Sequence, residues 1–294
     1  SDDPEPSIIV ISYNTREMTK ACIASVFQTA PDLDFELIVL DNDPTDGSAD
    51  AKRGFGGESR LRLVLLDDNI GFARANNLAA EGAKWRYLLL LNPDTIVLES
   101  ALQAILSFAK ERPDAKIWGG RTWFGDMSLN PTSCWRRQTL WSTFCLGIGL
   151  TTLFRGSELF NPEGYGGWRR DDVREVDIVT GCFLLIETAF WHRLEGFDLR
   201  FFMYAEEADL CMRARAHGAR PAITPDANII HYGGASQPAM AAKQVYQLSG
   251  KIALMDKHWS PPSPTIGRKL IELLVLIRRA GFGLAGALTG REKW

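Results

Sequence analysis

Cysteine is scarce in this chain, and the few cysteines present are far apart. Five of them are spread through 294 residues, and no two form a Cys-x-x-Cys pair. This spacing argues against a disulfide framework or a zinc cluster and favours reduced thiols, as in the cytoplasm. Two phosphate-binding motifs are also missing. Without a Gly-x4-Gly-Lys-Ser/Thr loop, or a Gly-x-Gly-x-x-Gly after the first predicted strand, a P-loop phosphotransferase and a dinucleotide oxidoreductase are both disfavoured.

Long apolar runs and a strong excess of positive charge are absent as well. No apolar stretch approaches the roughly 20 residues that cross a bilayer. The opening segment has no basic region before its apolar run, so we do not expect a signal peptide. The 33 basic and 36 acidic residues give a net charge of -3, which argues against a nucleic-acid partner. The charge is uneven, however, because Ser263–Trp294 holds six basic and two acidic residues.

What the chain does contain is an alternation of strand and helix patterns. Short apolar runs predict strands over residues 7–13, 35–40, 61–66 and 87–91, and later over 176–187 and from residue 229. Segments with helical periodicity predict helices over residues 15–29, 71–84, 98–112 and 205–217. Cys22 and Val26 lie on the apolar stripe of the first. Apolar strands separated by helices predict an α/β fold whose mostly parallel sheet is covered on both faces.

Polar side chains follow the predicted strands, at the edge of such a sheet where ligands bind. They are Tyr13 and Asn14, Asp41 and Asn42, Asn69, and Asn92 and Asp94. Tyr13 could stack on a nucleobase, and Asp41 could accept a hydrogen bond from a pyrimidine N–H. Asp94 could bind a divalent cation, which prefers oxygen ligands. Either aspartate could instead cap a helix or complete a turn.

Acidic residues cluster in the segment FFMYAEEADLCMRARAHG, at residues 201–218. Glu206, Glu207 and Asp209 lie close together after an aromatic run. Like charges in a partly desolvated site raise at least one pKa, which suits a general base. The same acids would also suit a solvated helix N-terminus, where the helix dipole favours negative charge. His231 follows an Ile-Ile pair and is either structural or a further ligand for a cation at Asp94.

Seven short motifs occur in a fixed order. They are SIIVISYN at 7–14, DNDPTDGS at 41–48, NIGFARANN at 69–77, LNPD at 91–94, Gly181-Cys182, the segment 201–213 and HYGGAS at 231–236. Together they resemble glycosyltransferase family 2 enzymes of the GT-A fold, and most of all the bacterial rhamnosyltransferase-like branch that builds cell-surface polysaccharides. The resemblance implies a nucleotide-sugar donor, an inverting displacement and a divalent metal, Mg²⁺ or Mn²⁺.

The resemblance also implies a role for each matched residue. Tyr13 and Asp41 would hold the base of the donor. The rest of the nucleotide-sugar site would be formed by Asn14, Asn42, Asn69, Gly71, Phe72, Asn76 and Asn92. Asp94 and His231 would bind the metal, Gly181 and Cys182 would contact the acceptor, and Glu207 would be the catalytic base.

Two positions depart from the family pattern. The family's metal-binding Asp-x-Asp begins with Asn92 here, which leaves the metal more dependent on diphosphate oxygens and on His231. The acidic pair, usually Glu-Asp, is Glu206-Glu207. Because glutamate is one methylene longer than aspartate, Glu206 and Asp209 stay open as alternatives for the base.

The resemblance divides the chain into a GT-A domain, residues 1–236, and a C-terminal helical segment, residues 237–294. Within that segment, residues 265–280 predict an amphipathic helix with Leu270, Leu273, Leu274 and Ile277 on one face. Such a helix could lie on an anionic membrane or pack on protein. The apolar run at 144–154 could likewise contact a lipid or be buried.

The donor and acceptor follow from the resemblance alone. The favoured donor is dTDP-L-rhamnose, with a UDP-linked hexose as the alternative. The expected acceptor is a hydroxyl of a glycan or of a polyprenyl-diphosphate-linked sugar, so we expect a cytoplasmic enzyme bound peripherally to the inner face of a bacterial membrane. There are two rival interpretations. A sugar nucleotidyltransferase would need a basic, glycine-rich triphosphate loop, which residues 13–20 do not supply, and the other rival is a non-catalytic scaffold of a polysaccharide assembly complex.

Overall fold

A computed structural model describes most of the chain. The described residues are 6–42, 55, 58–201, 203–233 and 240–289. The parts of the predicted motifs at 43–48 and 234–236 lie outside them. Side chains are not described at 240–242, at 278 and from 280 onward.

The chain forms two compact units, each made of two segments. Unit one comprises Ser1–Trp135 and Arg169–Gln247, and unit two comprises Arg136–Trp168 and Leu248–Trp294. The sequence did not predict that residues 136–168 group with the C-terminal helices. The predicted boundary between residues 236 and 237 stays a prediction about domains. The two units differ from it, because they are defined by contacts within the fold.

The strands alternate with helices along the described chain. The strands are β1 Pro6–Ser12, β2 Glu36–Asn42, β3 Leu61–Leu66, β4 Tyr87–Leu91, β5 Thr95–Val97, β6 Ile117–Trp123, β7 Leu129–Asn130, β8 Cys134–Trp135, β9 Arg174–Glu175, β10 Ile178–Val179, β11 Phe183–Glu187 and β12 Ala222–His231. The helices are α1 Arg16–Thr29, α2 Phe72–Glu81, α3 Ala101–Glu111, α4 Leu140–Gly147, α5 Leu150–Leu153, α6 Thr188–Arg193, α7 Glu206–Ala216, α8 Met240–His258 and α9 Ser263–Thr289.

One large sheet dominates unit one. Its main strand order is β3-β2-β1-β4-β11-β6-β12-β5, with β7 on β6 and β9 on β12, while β8 and β10 form a separate pair. The first four strands are parallel, as are β6 and β12, and β11 runs antiparallel to both β4 and β6. This arrangement confirms the predicted α/β class with a mostly parallel sheet. Every residue of β1 and of β4 is buried, as expected for strands covered on both faces.

The core of unit one lies between the sheet and its helices. Ile8, Val10 and Leu89 of the sheet share a cluster with Cys22 and Val26, which lie on the predicted apolar stripe of α1. Continuous apolar strands can bury both faces only because helices cover them, so the sequence pattern and the layers agree.

Two predicted elements differ from those observed. The apolar run at 176–187 is not one strand, because it divides into β10 and β11 at the Gly181-Cys182 break. The last strand begins at Ala222, before the predicted start at 229, and its pairing with β6 is irregular between Ile223 and Asn228. Pro225 lies in that irregular stretch, where proline is tolerated in a strand.

Unit two is helical. Helix α9 packs on α4 through Gly147, since a Cβ at that position would lie 3.0 Å from the carbonyl oxygen of Leu270. Ile271 and Leu274 of α9 are buried. The carboxylate of Glu163 accepts a hydrogen bond from Ser142 at 2.8 Å and pairs with the ammonium of Lys251. In the part of the chain that the structure describes, none of the helices is long and apolar enough to cross a membrane.

Candidate active site

An aspartate and a histidine meet where β5 and β12 lie side by side. The antiparallel register places His231 opposite Thr95, next to Asp94. The backbone N–H of Tyr232 donates to the carbonyl of Asp94 at 3.0 Å, and His231 Nε2 lies 3.3 Å from Asp94 Oδ1. The predicted proximity of Asp94 and His231 is therefore what the strand pairing produces.

The charge state of His231 is set by its neighbours. Burial lowers the pKa of His231, but Cys182 and the carboxylate of Asp94 outweigh it and raise that pKa to about 11. The side chain is therefore an imidazolium paired with Asp94 when no cation is present. An imidazole that binds a metal must be neutral, so binding of a cation would release this proton.

The donor set at Asp94 and His231 fits a cation that is only partly held by protein. Among the described residues, no three His, Cys, Asp or Glu side chains are arranged to hold a metal ion. One buried carboxylate and one imidazole are suitable ligands for Mg²⁺ or Mn²⁺, and Mg²⁺ commonly takes its other ligands from water and substrate phosphates. The residues present thus fit a metal that binds together with a diphosphate.

The acidic pair lies at the start of α7, after a strained turn. Tyr204 and Ala205 have φ angles of +67° and +72°, two consecutive left-handed residues that redirect the chain into the helix. Glu206 is buried, and one carboxylate oxygen each of Glu206 and Glu207 is buried without a hydrogen-bond partner among the described residues. Such strain and unpaired polar atoms are typical of functional sites.

Burial perturbs both members of the acidic pair. The pKa of Glu206 is raised well above its ordinary value, first by burial and then by the neighbouring charge of Glu207. Burial also raises the pKa of Glu207, although its own N–H and that of Ala208 lower it in part. A carboxylate with a raised pKa takes up a proton more readily, which suits a general base.

Asp209, the third candidate base, has a different role. It is fully buried, and Arg213 Nε donates to its Oδ2 at 2.7 Å, one helical turn along. Arg213 also donates to the carbonyls of Leu194 and Gly196, so this ion pair anchors the preceding turn to α7. A buried carboxylate held by arginine is less suited to accept a proton from a substrate, so the base assignment favours Glu206 or Glu207 and stays a prediction.

Gly181 and Cys182 lie between the acidic pair and the Asp94–His231 pair. A Cβ at Gly181 would lie 3.6 Å from Cβ of Glu207, so the backbone there packs directly on that residue. Cys182 is buried, contributes to the raised pKa of His231, and its carbonyl accepts a hydrogen bond from the N–H of Asn92 at 3.1 Å. Both residues pack against the site. Their contact with the acceptor stays a prediction.

Tyr204 is a site residue that the sequence reasoning missed. Burial raises the pKa of its hydroxyl, and so do the charges of Glu206, Glu207 and Asp94. The hydroxyl is therefore within electrostatic reach of both parts of the site. It is buried without a hydrogen-bond partner among the residues that the structure describes. The only signal in the sequence was its position, two residues before the acidic pair.

Two asparagines organise the predicted nucleotide side. Asn42 Nδ2 donates to Asn69 Oδ1 at 2.9 Å, and Asn42 Oδ1 accepts from the N–H of Ile70 at 2.9 Å. Asn69 Oδ1 also accepts from the N–H of Gly71, whose φ of +84° starts α2. The end of β2 is thereby joined to the start of α2.

The other predicted donor residues fall near the same sheet edge. Asp41 is buried and pairs in register with Ser12, which immediately precedes Tyr13. Tyr13 is half-buried, and Asn14 is exposed with a φ of +51°.

In α2, Phe72 lies 6.2 Å from the ring of Phe197, and the buried Asn76 amide donates to the carbonyl of Phe72 at 3.0 Å. A contact of these residues with a donor stays a prediction.

Comparison with known proteins identifies a family and several similar proteins. The sequence profile described as "Glycosyl transferase family 2" matches residues 7–194. The chain is 27% identical over 238 residues to "Rhamnosyltransferase WbbL" of Escherichia coli, covering 76% of this chain and 82% of that protein. It is 24% identical over 278 residues to "N-acetylglucosaminyl-diphospho-decaprenol L-rhamnosyltransferase" of Mycobacterium tuberculosis, covering 87% and 86%.

Other similarities extend the comparison. The chain is 25% identical to "O-antigen biosynthesis protein RfbC" of Myxococcus xanthus over 84% of its own length, but spans only 19% of that protein. Among solved structures, it resembles mannosyltransferase PcManGT from Pyrobaculum calidifontis in complex with GDP-Man and Mn2+. That similarity has a TM-score of 0.62 at 15% identity and covers 99% of this chain and 82% of the other. At this identity the similarity concerns the fold, and it agrees with the predicted GT-A architecture.

Proposed function

Because this chain belongs to glycosyltransferase family 2 and is thus a glycosyltransferase that uses a nucleotide-sugar donor, we propose that it transfers the sugar with inversion to an acceptor hydroxyl in a metal-dependent reaction. One observation carries the proposal. The acidic pair and the Asp94–His231 pair are linked by two adjacent residues, because Gly181 packs on Glu207 and the carbonyl of Cys182 accepts a hydrogen bond from the N–H of Asn92, two residues before Asp94. A base and a diphosphate site must lie near each other if one displacement is to occur between them.

Glu207 is the better base of the pair. Glu206 is almost completely buried, whereas Glu207 is partly exposed and lies against Gly181. In the proposed step, Glu207 removes the proton of the acceptor hydroxyl while that oxygen bonds to the anomeric carbon. The bond between that carbon and the diphosphate oxygen breaks, and the nucleoside diphosphate leaves with the electron pair. One displacement inverts the anomeric configuration.

Asp94 and His231 are the residues that would hold the divalent cation. A cation bound there would supply positive charge to the leaving diphosphate without a proton donor. The two side chains lie 3.3 Å apart, and the backbone contact between Asp94 and Tyr232 fixes the strand ends that carry them. Mg²⁺ and Mn²⁺ both suit this pair of ligands.

For the donor we favour dTDP-L-rhamnose, with a UDP-hexose as the alternative. Two curated relatives are named as rhamnosyltransferases, and one of those names includes a diphospho-decaprenol acceptor. By analogy, the acceptor here is a sugar on a glycan or a polyprenyl diphosphate, and the enzyme works at the cytoplasmic face of a bacterial membrane.

A donor-hydrolysis and thermal-shift assay tests the proposal. With Mn²⁺ present, dTDP-L-rhamnose should raise the melting temperature more than UDP-glucose does, since a ligand that binds only the native state stabilises it. Slow release of dTDP should accompany this shift. A UDP-sugar that acts instead would replace the donor assignment. No donor shift and no hydrolysis with any nucleotide sugar would support the scaffold and overturn the proposal.

A further inference from the structure

Unit two exposes a cluster of apolar side chains, which we call the aromatic patch. It consists of Trp141, Phe144, Leu153, Phe154, Leu159 and Phe160. The Trp141 ring stacks on Phe144 at 5.7 Å and lies 6.4 Å from Phe160, which in turn lies 5.1 Å from Phe154. These contacts join the four rings, and Leu153 and Leu159 immediately precede Phe154 and Phe160 in the chain. Leu153 is 74% exposed, and Leu159 is 60% exposed.

Polar bonds hold the segment that carries the aromatic patch. Trp141 Nε1 donates to the carbonyl of Leu159 at 2.7 Å, and Thr151 Oγ1 donates to the carbonyl of Phe160 at 3.0 Å. Thr139 and Ser142 form a reciprocal capping box at the start of α4. The apolar side chains are therefore displayed on a defined backbone, and a contiguous exposed patch of this kind marks an interaction site.

A second apolar surface of unit two lies along α9. At 100° per residue, three stripes run along this helix. The buried stripe holds Gly267, Ile271 and Leu274, the exposed apolar stripe holds Ile266, Leu273 and Ile277, and the polar stripe holds Arg268, Glu272 and Arg279. Of the apolar face predicted from the sequence, Leu274 is buried, whereas Leu273 and Ile277 are exposed.

Charge indicates what covers these surfaces. Unit two holds eleven Lys and Arg against five Asp and Glu, a net charge of +6, whereas unit one holds 22 against 31, a net charge of -9. A second copy of this chain would bring two units of like charge together, which opposes association. An anionic bilayer attracts the positive charge and accepts aromatic and leucine side chains at its interface.

We propose that the aromatic patch of unit two inserts into an anionic membrane, beside the exposed stripe of α9. The proposal rests on the proposed function only in its biological setting, since the contact itself needs no sugar transfer. It differs from anchoring by α9, because the inserting side chains belong to α4, α5 and the loop that follows them.

Vesicle co-sedimentation of the full chain tests this. Phosphatidylcholine vesicles containing phosphatidylglycerol should bind the chain, and salt should weaken binding. Leu153→Ser/Phe154→Ser should bind at least tenfold more weakly. Leu153→Ser alone should also weaken binding. Because this change removes no ring contact, it keeps the test valid if the double variant folds poorly. The matched control, Leu65→Ser/Leu199→Ser, changes two residues of unit one that are 49% and 52% exposed and should bind like the wild type.

A second measurement locates the contact. Lipids brominated in the acyl chain should quench tryptophan fluorescence in the wild type, and Trp141→Phe should lose most of that quenching. Equal vesicle binding by the wild type and both Leu153 variants would overturn the proposal, as would no binding by the wild type. A concentration-dependent dimer that Leu153→Ser dissociates would instead assign the patch to a second copy.

Donor hydrolysis without vesicles separates this proposal from the proposed function. The Leu153 variants should hydrolyse donor at the wild-type rate. If the wild type binds vesicles through the patch but hydrolyses no donor, the catalytic proposal fails and the membrane proposal stands. If the wild type hydrolyses donor but does not bind vesicles, the membrane proposal fails and the catalytic proposal stands.

Discussion

The two glutamates at the start of α7 allow one decisive comparison, between Glu206→Gln and Glu207→Gln. Each change replaces a carboxylate, buried in Glu206 and partly exposed in Glu207, with an amide of nearly the same shape. If Glu207 is the base, its loss should lower turnover about 10²–10⁴-fold, the usual contribution of general base catalysis. That range corresponds to about 2.7–5.4 kcal/mol of barrier height. Glu206→Gln should change turnover less than about tenfold, because its carboxyl group is not the proton acceptor.

Stability should respond in both variants alike. Burial raises both pKa values above the ordinary value of 4.5, so the folded protein favours the protonated carboxyls. Their contribution to stability is fully present below pH 4.5 and is lost as the pH rises through the raised pKa of the folded pair. The glutamine variants cannot ionise. Their melting temperatures should therefore match the wild type near pH 4 and exceed it increasingly at higher pH.

Turnover, donor-induced thermal shift and melting temperature should be measured together across this pH range. Donor binding retained in Glu207→Gln, alongside lost turnover, identifies a chemical role. If Glu206→Gln alone loses turnover, the base assignment moves to Glu206. If both variants turn over at the wild-type rate, the acidic pair is not the base, and the reasoning from burial to catalysis is wrong.

Three further changes probe the rest of the site. Tyr204→Phe removes a buried hydroxyl without a described partner, so it should stabilise the free protein by about 1 kcal/mol in chemical denaturation yet lower turnover severalfold; unchanged turnover would exclude contact with substrate. Asp94→Asn and His231→Ala should each reduce the Mn²⁺-dependent part of the donor thermal shift, and an unaltered shift would place the cation elsewhere. Asp209→Ala leaves the partly exposed Arg213 without its carboxylate and should lower the free energy of unfolding by about 2–4 kcal/mol, measured by urea denaturation, whereas an effect under about 1 kcal/mol would contradict the anchoring role.

Local sequence patterns predicted strands β1 to β4 well. Strands β3 and β4 have the predicted bounds, because continuous apolar runs between turn-forming residues leave little choice of limits. The pairing of Asp94 with His231 was predicted from a resemblance, and the antiparallel register of β5 and β12 gives its physical basis.

The parts that sequence could not predict depend on distant contacts. Tyr204 has no assigned role in the segment 201–213, and its proximity to Asp94, more than a hundred residues earlier in the chain, comes only from the fold. The grouping of residues 136–168 with the C-terminal helices depends on the close approach of Gly147 to Leu270. The role of Asp209 was accessible in principle, because Arg213 lies four residues further along a predicted helix, the usual spacing of an ion pair.

The register of β12 has a consequence for how this protein can vary. In a strand, neighbouring side chains point to opposite faces, so a slip of one residue against β5 would bring Ile230 or Tyr232 to the place of His231 beside Asp94. The irregular stretch between Ile223 and Asn228 determines which residue of β12 lies opposite Thr95 of β5. Lengthening or shortening that stretch by a single residue would separate the histidine from the aspartate while leaving both in the sequence, so an alignment would show an intact pair in a protein that had lost it.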